Sequence, residues 1–351
     1  LSFELKPTDI KKIYWKDPKS DIRLCHWVQA LSKLEKLKAD SINGKNNGKK
    51  PLCLIGVEDD RGIGHNQGRR GAKAAPKEIR RQFFKMTPPF HLEPSSYKCS
   101  ILDLGDIPPH NSIEETHEAL SQAVKMAHQK NYLPVVLGGG HDHAYGEIKG
   151  CSQSLMEQKW PKGAMPKNAF AVLNCDAHLD VRERKKEITS GTPFRRAVED
   201  PEIHLEGKNY WAFALQYHCN SHQHWQWMKD KKAKMLTLEA CRQKKGVDRV
   251  AASLFQKLRQ KNLPFVFSMD MDCVRISDAP GVSAPQSDGV TAREMIKLGR
   301  LLHGERTSSQ QNHPIKGLQS IGIYEVSPPL DVDQRTSKLA ARFLYALLFG
   351  I

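Results

Sequence analysis

The sequence predicts an α/β protein built on one mostly parallel sheet of about eight strands, covered by helices on both faces. Three observations predict it. From about residue 52 short β-like runs alternate with helical patterns, the signature of parallel βαβ units. Runs such as LPVV (133–136) are apolar throughout, as strands buried inside such a sheet are. The helical patterns have recognisable ends, and 351 residues suffice for one large α/β domain or two smaller ones.

In chain order the strand candidates are LCLIGV (52–57), SILDLG (100–105), LPVVLG (133–138), AFAVLN (169–174), YWAFALQ (210–216), KMLTL (234–238), PFVFSMD (264–270) and LQSIGIYEV (318–326). Between them, SIEETHEALSQAVKMAHQK opens on Ser112 with Glu115 three residues on, a capping-box arrangement. TAREMIKLGRLLHG (291–304) and SKLAARFLYALLFG (337–350) carry apolar stripes at helical spacing and stop at glycine. KADSINGKNNGKKP (38–51) reads as a mobile loop and MEQKWPKGAMPKNA (156–169) as a surface excursion. Residues 1–51 are therefore expected to form an N-terminal helical segment and loop, with 52–351 as a single domain.

Composition excludes some classes. With 39% hydrophobic residues and no stretch near the roughly 18 uninterrupted apolar residues of a membrane helix, no spanning segment is expected. Eight scattered cysteines without a CxxC pair point to a reducing compartment, and so to the cytoplasm. The net charge of +15 raises nucleic acid or an anionic small molecule as a partner. The basic residues, however, sit in short separated clusters (45–50, 182–186, 229–234 and 242–245) without interleaved aromatics, which weighs against nucleic acid.

Three strand ends carry the chemistry. LGGGHDHAYG (137–146) lacks the spacing of a dinucleotide or phosphate loop, yet sets His141 at the carboxyl end of a buried strand, where ligands bind in open α/β sheets. Alone, such a histidine is more often a turn residue. NCDAHLD (174–180) adds Asp176, His178 and Asp180 at alternate positions, which an extended backbone would point to one side. SMDMD (268–272) adds Asp270 and Asp272 in the same way. Converging carboxylates repel one another unless a multivalent cation supplies the missing charge. Four of them balance two divalent ions, and hard oxygen ligands with a minority of imidazole suit manganese. Two metals bridging one water lower its pKa, so the site is hydrolytic in outline. Cys175 and Cys273 each adjoin a ligand and are expected to point away as small buried residues.

The succession GGxH, DAHxD and SxDxD resembles the arginase/agmatinase ureohydrolase superfamily from about residue 52 to 349. NQGRRGAKAAPKEIR (66–80), GGGHDHAYG, NCDAHLDVR with TSGTPF (189–194), and APGVSAP (279–285) are most similar to its formimidoylglutamase branch. The resemblance implies the three-layer α/β/α arginase fold for 52–351, two Mn2+ ions and a possible homo-oligomer. It implies that Asp176 and Asp270 bridge the ions, that His141 and Asp180 complete one sphere, and that His178 and Asp272 complete the other. Asp180 would also relay the proton of a bridging hydroxide to the leaving amine, and Glu325 in YEVSPPLD (324–331) would anchor the cationic formimidoyl nitrogen.

The implied reaction is hydrolysis of N-formimidoyl-L-glutamate to L-glutamate and formamide, a step of histidine breakdown. Such a substrate joins an amidinium-like cation to two carboxylates and needs basic groups beyond the metals. Arg182 is the first candidate clamp and Arg69 the second, with Arg70 as competitor; Ser190, Thr192 and Asn220 are candidate neutral partners. TSGTPF contains no histidine, unlike the corresponding arginase motif. Asp142 and His143 stand where the branch more often has Glu and an apolar residue. The alternatives are a ureohydrolase acting on agmatine or a guanidino acid and, from another class, a nucleic-acid-binding protein with a relic site.

Overall fold

The computed structural model describes residues 4–19, 21–30, 49–92, 101–158, 165–166, 168–306 and 317–351. Nine strands among them form one sheet: β1 (Val28–Ala30), β2 (Leu52–Val57), β3 (Ile101–Ile107), β4 (Leu133–Leu137), β5 (Ala171–Cys175), β6 (Tyr210–Leu215), β7 (Lys234–Thr237), β8 (Phe265–Asp270) and β9 (Leu318–Tyr324). Their order is β1-β3-β2-β4-β9-β8-β5-β6-β7, and every neighbouring pair is parallel. The helices are α1 (Ile10–Ile13), α2 (Arg61–His65), α3 (Ala75–Phe84), α4 (Ile113–Gln129), α5 (Ala144–Met156), α6 (Pro193–Glu199), α7 (His222–Asp230), α8 (Leu238–Gln243), α9 (Val247–Gln260), α10 (Ala292–Glu305) and α11 (Arg335–Phe349).

Apolar strands with no alternation are what a doubly covered sheet requires, because successive side chains enter opposite layers. Val135, Leu173 and Phe267 pack with α3, α9, α10 and α11 on one face. Their neighbours Val136, Val172 and Val266 pack with α4, α5 and α6 on the other. The three-layer α/β/α expectation is met. Among the described residues, no helix is long and apolar enough to cross a membrane.

Differences from expectation lie at the edges. The ninth strand, β1, was missed because three residues, VQA, carry no pattern of their own; pairing with β3 makes them a strand. The described part of the N-terminal segment is thus one helical turn (α1), a 3-10 turn at Leu24–His26 and an edge strand, rather than helical throughout. Residues 38–48 of the expected loop, and 159–164 and 167 of the expected excursion, lie outside the described residues. At α4, Ser112 accepts from the Glu115 amide as expected, but Glu115 returns its bond to the Asn111 amide. α10 runs through Gly304 to Glu305, whereas α11 ends at Gly350 in the left-handed conformation (φ 77°).

The register aligns the site. Leu137 of β4 pairs with Ile323 of β9, Ile323 with Met269 of β8, and Met269 with Cys175 of β5. One row therefore crosses the four central strands at their carboxyl ends, and the residues that follow it emerge side by side.

An ion-pair network holds α3 to the sheet. Arg80, fully buried, donates to both Asp103 oxygens of β3 (2.7 and 2.9 Å) and contacts Asp106, while Thr8 adds a hydrogen bond to Asp103 (3.0 Å). Replacing Arg80 with Met leaves Asp103 charged and unpaired in the interior. Urea denaturation followed by circular dichroism is expected to show a loss of about 3–5 kcal/mol; an unchanged midpoint would show that the network is not stabilising.

Candidate metal centre and substrate pocket

Four adjacent strands deliver the site. β4 leads to His141, β9 to Glu325, β8 to Asp270 and Asp272, and β5 to Asp176, His178 and Asp180. His141 Nδ1 lies 3.3 Å from Asp176 Oδ2, 2.9 Å from Asp180 Oδ2 and 2.8 Å from Asp270 Oδ2. His178 Nδ1 lies 3.5 Å from Asp176 Oδ1 and 3.1 Å from Asp272 Oδ2. The six residues expected from the motifs thus fall into two clusters that share Asp176, whereas Asp270, also expected to bridge, groups only with His141, Asp176 and Asp180.

The convergence is not that of extended chains. Beyond Cys175 the backbone bends, and Asp180 takes a left-handed conformation (φ 49°); Met271–Cys273 form a 3-10 turn that folds Asp272 back. The Asp272 amide donates to Asp270 Oδ1 and the His178 amide to Asp176 Oδ1, both at 2.7 Å, so the carboxylates organise the turns that present them. Glu325 is also left-handed (φ 64°), which places backbone strain of order 1–3 kcal/mol per residue at two proposed functional positions. The glycines of GGGH make the turn after β4. Gly138 and Gly139 have φ of 76° and 83°, and an added Cβ on either would meet neighbouring atoms at 2.5–2.7 Å.

Partners that motif reading missed fix the ligands. The His141 Nε2 edge bonds Ser268 Oγ at 2.8 Å, which leaves Nδ1 facing the acids, and the ring is held between Tyr324 (stacked, 5.1 Å) and Phe194 (edge-on, 5.3 Å). Asn174 Nδ2 donates to Asp176 Oδ2 at 2.9 Å. Ser268 and Asn174 each lie on a strand two residues before an acid of the cluster, so strand periodicity could have found them. Tyr324 and Phe194 carried no such signal.

The electrostatics fit cations. Protein charges alone push the Asp270 carboxyl well above its ordinary range, through burial and then the nearby Asp272 and Asp176; burial and Asp176 raise Asp180. Asp272 is pushed up to about 6, mainly by burial. Asp176 is buried too, yet the two imidazoles outweigh burial and hold it low. His141 Nδ1 and Asp272 Oδ1 are buried without a hydrogen-bond partner. Orphaned donor atoms among crowded acids are what a pair of divalent ions would complete.

The model of the arginase family matches residues 50–350. The chain belongs to the arginase family. A formimidoylglutamase of Streptococcus pyogenes serotype M12 (strain MGAS2096) is 33% identical over 300 residues, covering 85% of this chain and 84% of that relative. The crystal structure of Trypanosoma cruzi formiminoglutamase with Mn2+ matches with a TM-score of 0.71 at 26% identity, covering 91% of this chain and 97% of that one. Formimidoylglutamase from Bacillus subtilis matches in fold, with a TM-score of 0.74 at 24% identity over 96% and 94% of the two chains.

In this arginase-family chain a pocket opens above the clusters, lined by Asp180, Asp270, Asp272 and Glu325 among others. Glu325 is buried, accepts from the His141 amide at 3.0 Å, and is raised well above its ordinary range by burial and then Asp270. Of the candidate substrate contacts, Arg182, Ser190 and Asn220 line the pocket. The Asn220 amide, however, is committed to the Leu179 amide and the Ala177 and Gln216 carbonyls (2.7–2.9 Å), which ties the ligand segment to the start of α7. Arg69 and Thr192 lie outside the lining. Arg69 donates to the Ser283 and Val282 carbonyls and so holds the 279–285 loop, while buried Thr192 bonds the Thr189 carbonyl. Arg70 pairs with Asp60 at 2.7 Å. Asn66, Cys219, His224, Ser283 and Ala284 complete the lining and were not expected.

A third group, His117, Asp142 and His143, could also gather round an ion. Its hydrogen bonds favour another role. Arg196 Nη1 donates to His117 Nδ1 at 3.1 Å, so the proton sits on Nε2, directed at Asp142 Oδ2 at 3.1 Å. An ion at Nε2 would force two N–H groups to face each other at Nδ1. Burial holds His117 down to about 4, which keeps it a neutral bridge between a guanidinium and a carboxylate.

Two predictions follow from this geometry. Asp176 belongs to both clusters and Asp180 to one, so metal analysis after Mn2+ loading is expected to show Asp176→Ala losing ions from both and Asp180→Ala retaining that of the His178 cluster. Equal retention by the two variants would contradict the grouping. Glu147, buried and accepting from Tyr324 Oη at 2.6 Å, has its carboxyl pushed up to about 7 by burial. A folded-state pKa above the unfolded value of 4.5 means that the native state keeps a proton the unfolded chain has lost, so stability falls as pH rises from there to about 7. Relative to wild type, Glu147→Gln should gain roughly 3 kcal/mol across that window; melting curves at pH 5 and pH 8 with a constant gap would refute it.

Proposed function

We propose that this chain hydrolyses N-formimidoyl-L-glutamate to L-glutamate and formamide with two manganese ions. The observation that carries the substrate is Arg182. Its guanidinium lines the pocket, and no hydrogen bond or ion pair engages it among the described residues. The side chain lies across Gly191, where a Cβ would come within 2.6 Å of Arg182 Cδ, so the glycine gives it room. An acidic floor with a free cation beside it complements an amidinium head carrying carboxylates. The identity to formimidoylglutamases supports the same choice.

His141, Asp176, Asp180 and Asp270 would hold one ion, and Asp176, His178 and Asp272 the other. When bound, manganese supplies Lewis-acid charge and lowers the pKa of water toward neutrality. Glu325 anchors the formimidoyl nitrogen, its approach to a cation favouring the carboxylate form. Asp180 takes a proton from the attacking water and delivers it to the departing glutamate nitrogen as the carbon–nitrogen bond breaks. Ser190, hydrogen-bonded by Asn66 at 3.2 Å, is oriented on the pocket wall as a neutral contact. A cytoplasmic location accords with the seven described cysteines, all free thiols, including Cys175 and Cys273, buried with sulfurs 3.8 Å apart. A homo-oligomeric assembly remains part of this reading.

Manganese-loaded protein is expected to release glutamate and formamide from N-formimidoyl-L-glutamate and no urea from arginine, agmatine or guanidinobutyrate. Arg182→Ala should raise KM about 10- to 100-fold, the loss of a charge-assisted contact. Urea from any of the guanidino substrates, or an unchanged KM, would overturn the assignment of the substrate or of Arg182 respectively.

A further inference from the structure

The pocket is polarised. Its buried acids Asp270, Asp272 and Glu325 lie on the floor, while Arg182 is exposed and His224, from α7, is half-buried. A formimidoyl group seated against the floor leaves two carboxylates on the outer side, and one guanidinium chelates one of them. The second lacks a basic partner if Arg182 acts alone.

We propose that His224 is the contact for the second carboxylate, a specificity-determining residue that makes the pocket a diacid site; this rests on the formimidoylglutamate reading above. Three observations converge on it. The imidazole lines the same pocket as Arg182 and has no hydrogen-bond partner among the described residues. Its backbone is fixed relative to the ligands, because α7 starts directly after Asn220, whose amide is clamped to Ala177 and Leu179, and because Ser221 caps the helix by accepting from the His224 amide (3.4 Å). The local field is positive: after burial, the Arg182 and Arg195 guanidiniums hold the imidazole below its ordinary pKa. Cations crowded at one wall favour an anion there and disfavour a cationic tail, which gives both attraction and exclusion.

The test uses full-length, manganese-loaded protein and three substrates: N-formimidoyl-L-glutamate, the 4-aminobutyrate derivative lacking the α-carboxylate, and the L-2-aminobutyrate derivative lacking the γ-carboxylate. His224→Ala is expected to raise KM for the diacid about tenfold with kcat within about twofold. That penalty should vanish for one of the two monoacids, the one on which Arg182→Ala still acts. His224→Gln, which keeps a donor, should recover most of the loss, and calorimetric binding of the product L-glutamate should weaken in parallel with KM.

An unchanged KM overturns the proposal. A fall in kcat at constant KM also overturns it and makes His224 a proton donor instead. Equal penalties on all three substrates overturn it in favour of a purely structural role. If wild-type protein leaves N-formimidoyl-L-glutamate intact, the functional reading fails and this proposal falls with it, an outcome separate from any defect confined to the variants.

Discussion

Mutual repulsion among four carboxylates, gathered with two imidazoles at the ends of β4, β8 and β5, is the constraint around which the rest of the molecule is arranged. Such a cluster is unfavourable in a folded chain unless cations neutralise it, and ions bind tightly only if the ligands are already held in place. The sheet provides that hold. The row Leu137, Ile323, Met269 and Cys175 ties the four strands in register one to five residues before the clustered side chains, which inherit the rigidity of the most buried part of the protein.

What lies beyond the strand ends converts a flat row into a site. Extended chains would continue past one another, whereas left-handed Asp180 and Glu325, the 3-10 turn at Met271–Cys273 and the glycine turn after β4 bend four segments toward a common centre. The strain this stores is offset by bonds from the ligands to their own turn amides and by side chains packed behind them. Ser268 and the rings of Tyr324 and Phe194 fix His141, and Asn220 fixes the segment carrying Asp176 to Asp180. Ligation and local folding are therefore one problem here, which explains why positions that touch no substrate sit so close to the chemistry.

The same logic extends to the pocket wall. Arg69 serves by holding the 279–285 loop, and Arg70 by pairing with Asp60. Arg182 is different because its charge is left uncompensated over a glycine. Arg69 and Arg70 are spent on internal contacts that build the wall, whereas the Arg182 guanidinium has no hydrogen-bond or ion-pair partner among the described residues and faces the pocket. The chain of Arg196, His117 and Asp142 likewise joins α6, α4 and the turn carrying His141 through a neutral imidazole, which gives Asp142 a structural role.

By itself the sequence determined the sheet class and the eight longer strands, and it marked the six clustered side chains and Glu325 as candidates, because these are written in local periodicity and in short motifs at strand ends. It could not show β1, whose three residues become a strand only by pairing, nor which basic residues face the pocket, since Arg69, Arg70 and Arg182 look alike in one dimension. His224 was equally silent, lying in a helix whose start is tied to the site by Asn220. Tertiary structure decided these points. β8 and β9, late in the chain, insert between β4 and β5, and that topology brings groups nearly two hundred residues apart within hydrogen-bonding distance, as the 184-residue span from the His141 amide to the Glu325 carboxylate shows. Local sequence specifies what each strand end carries; only the strand order, fixed by burial of both sheet faces, specifies which ends meet.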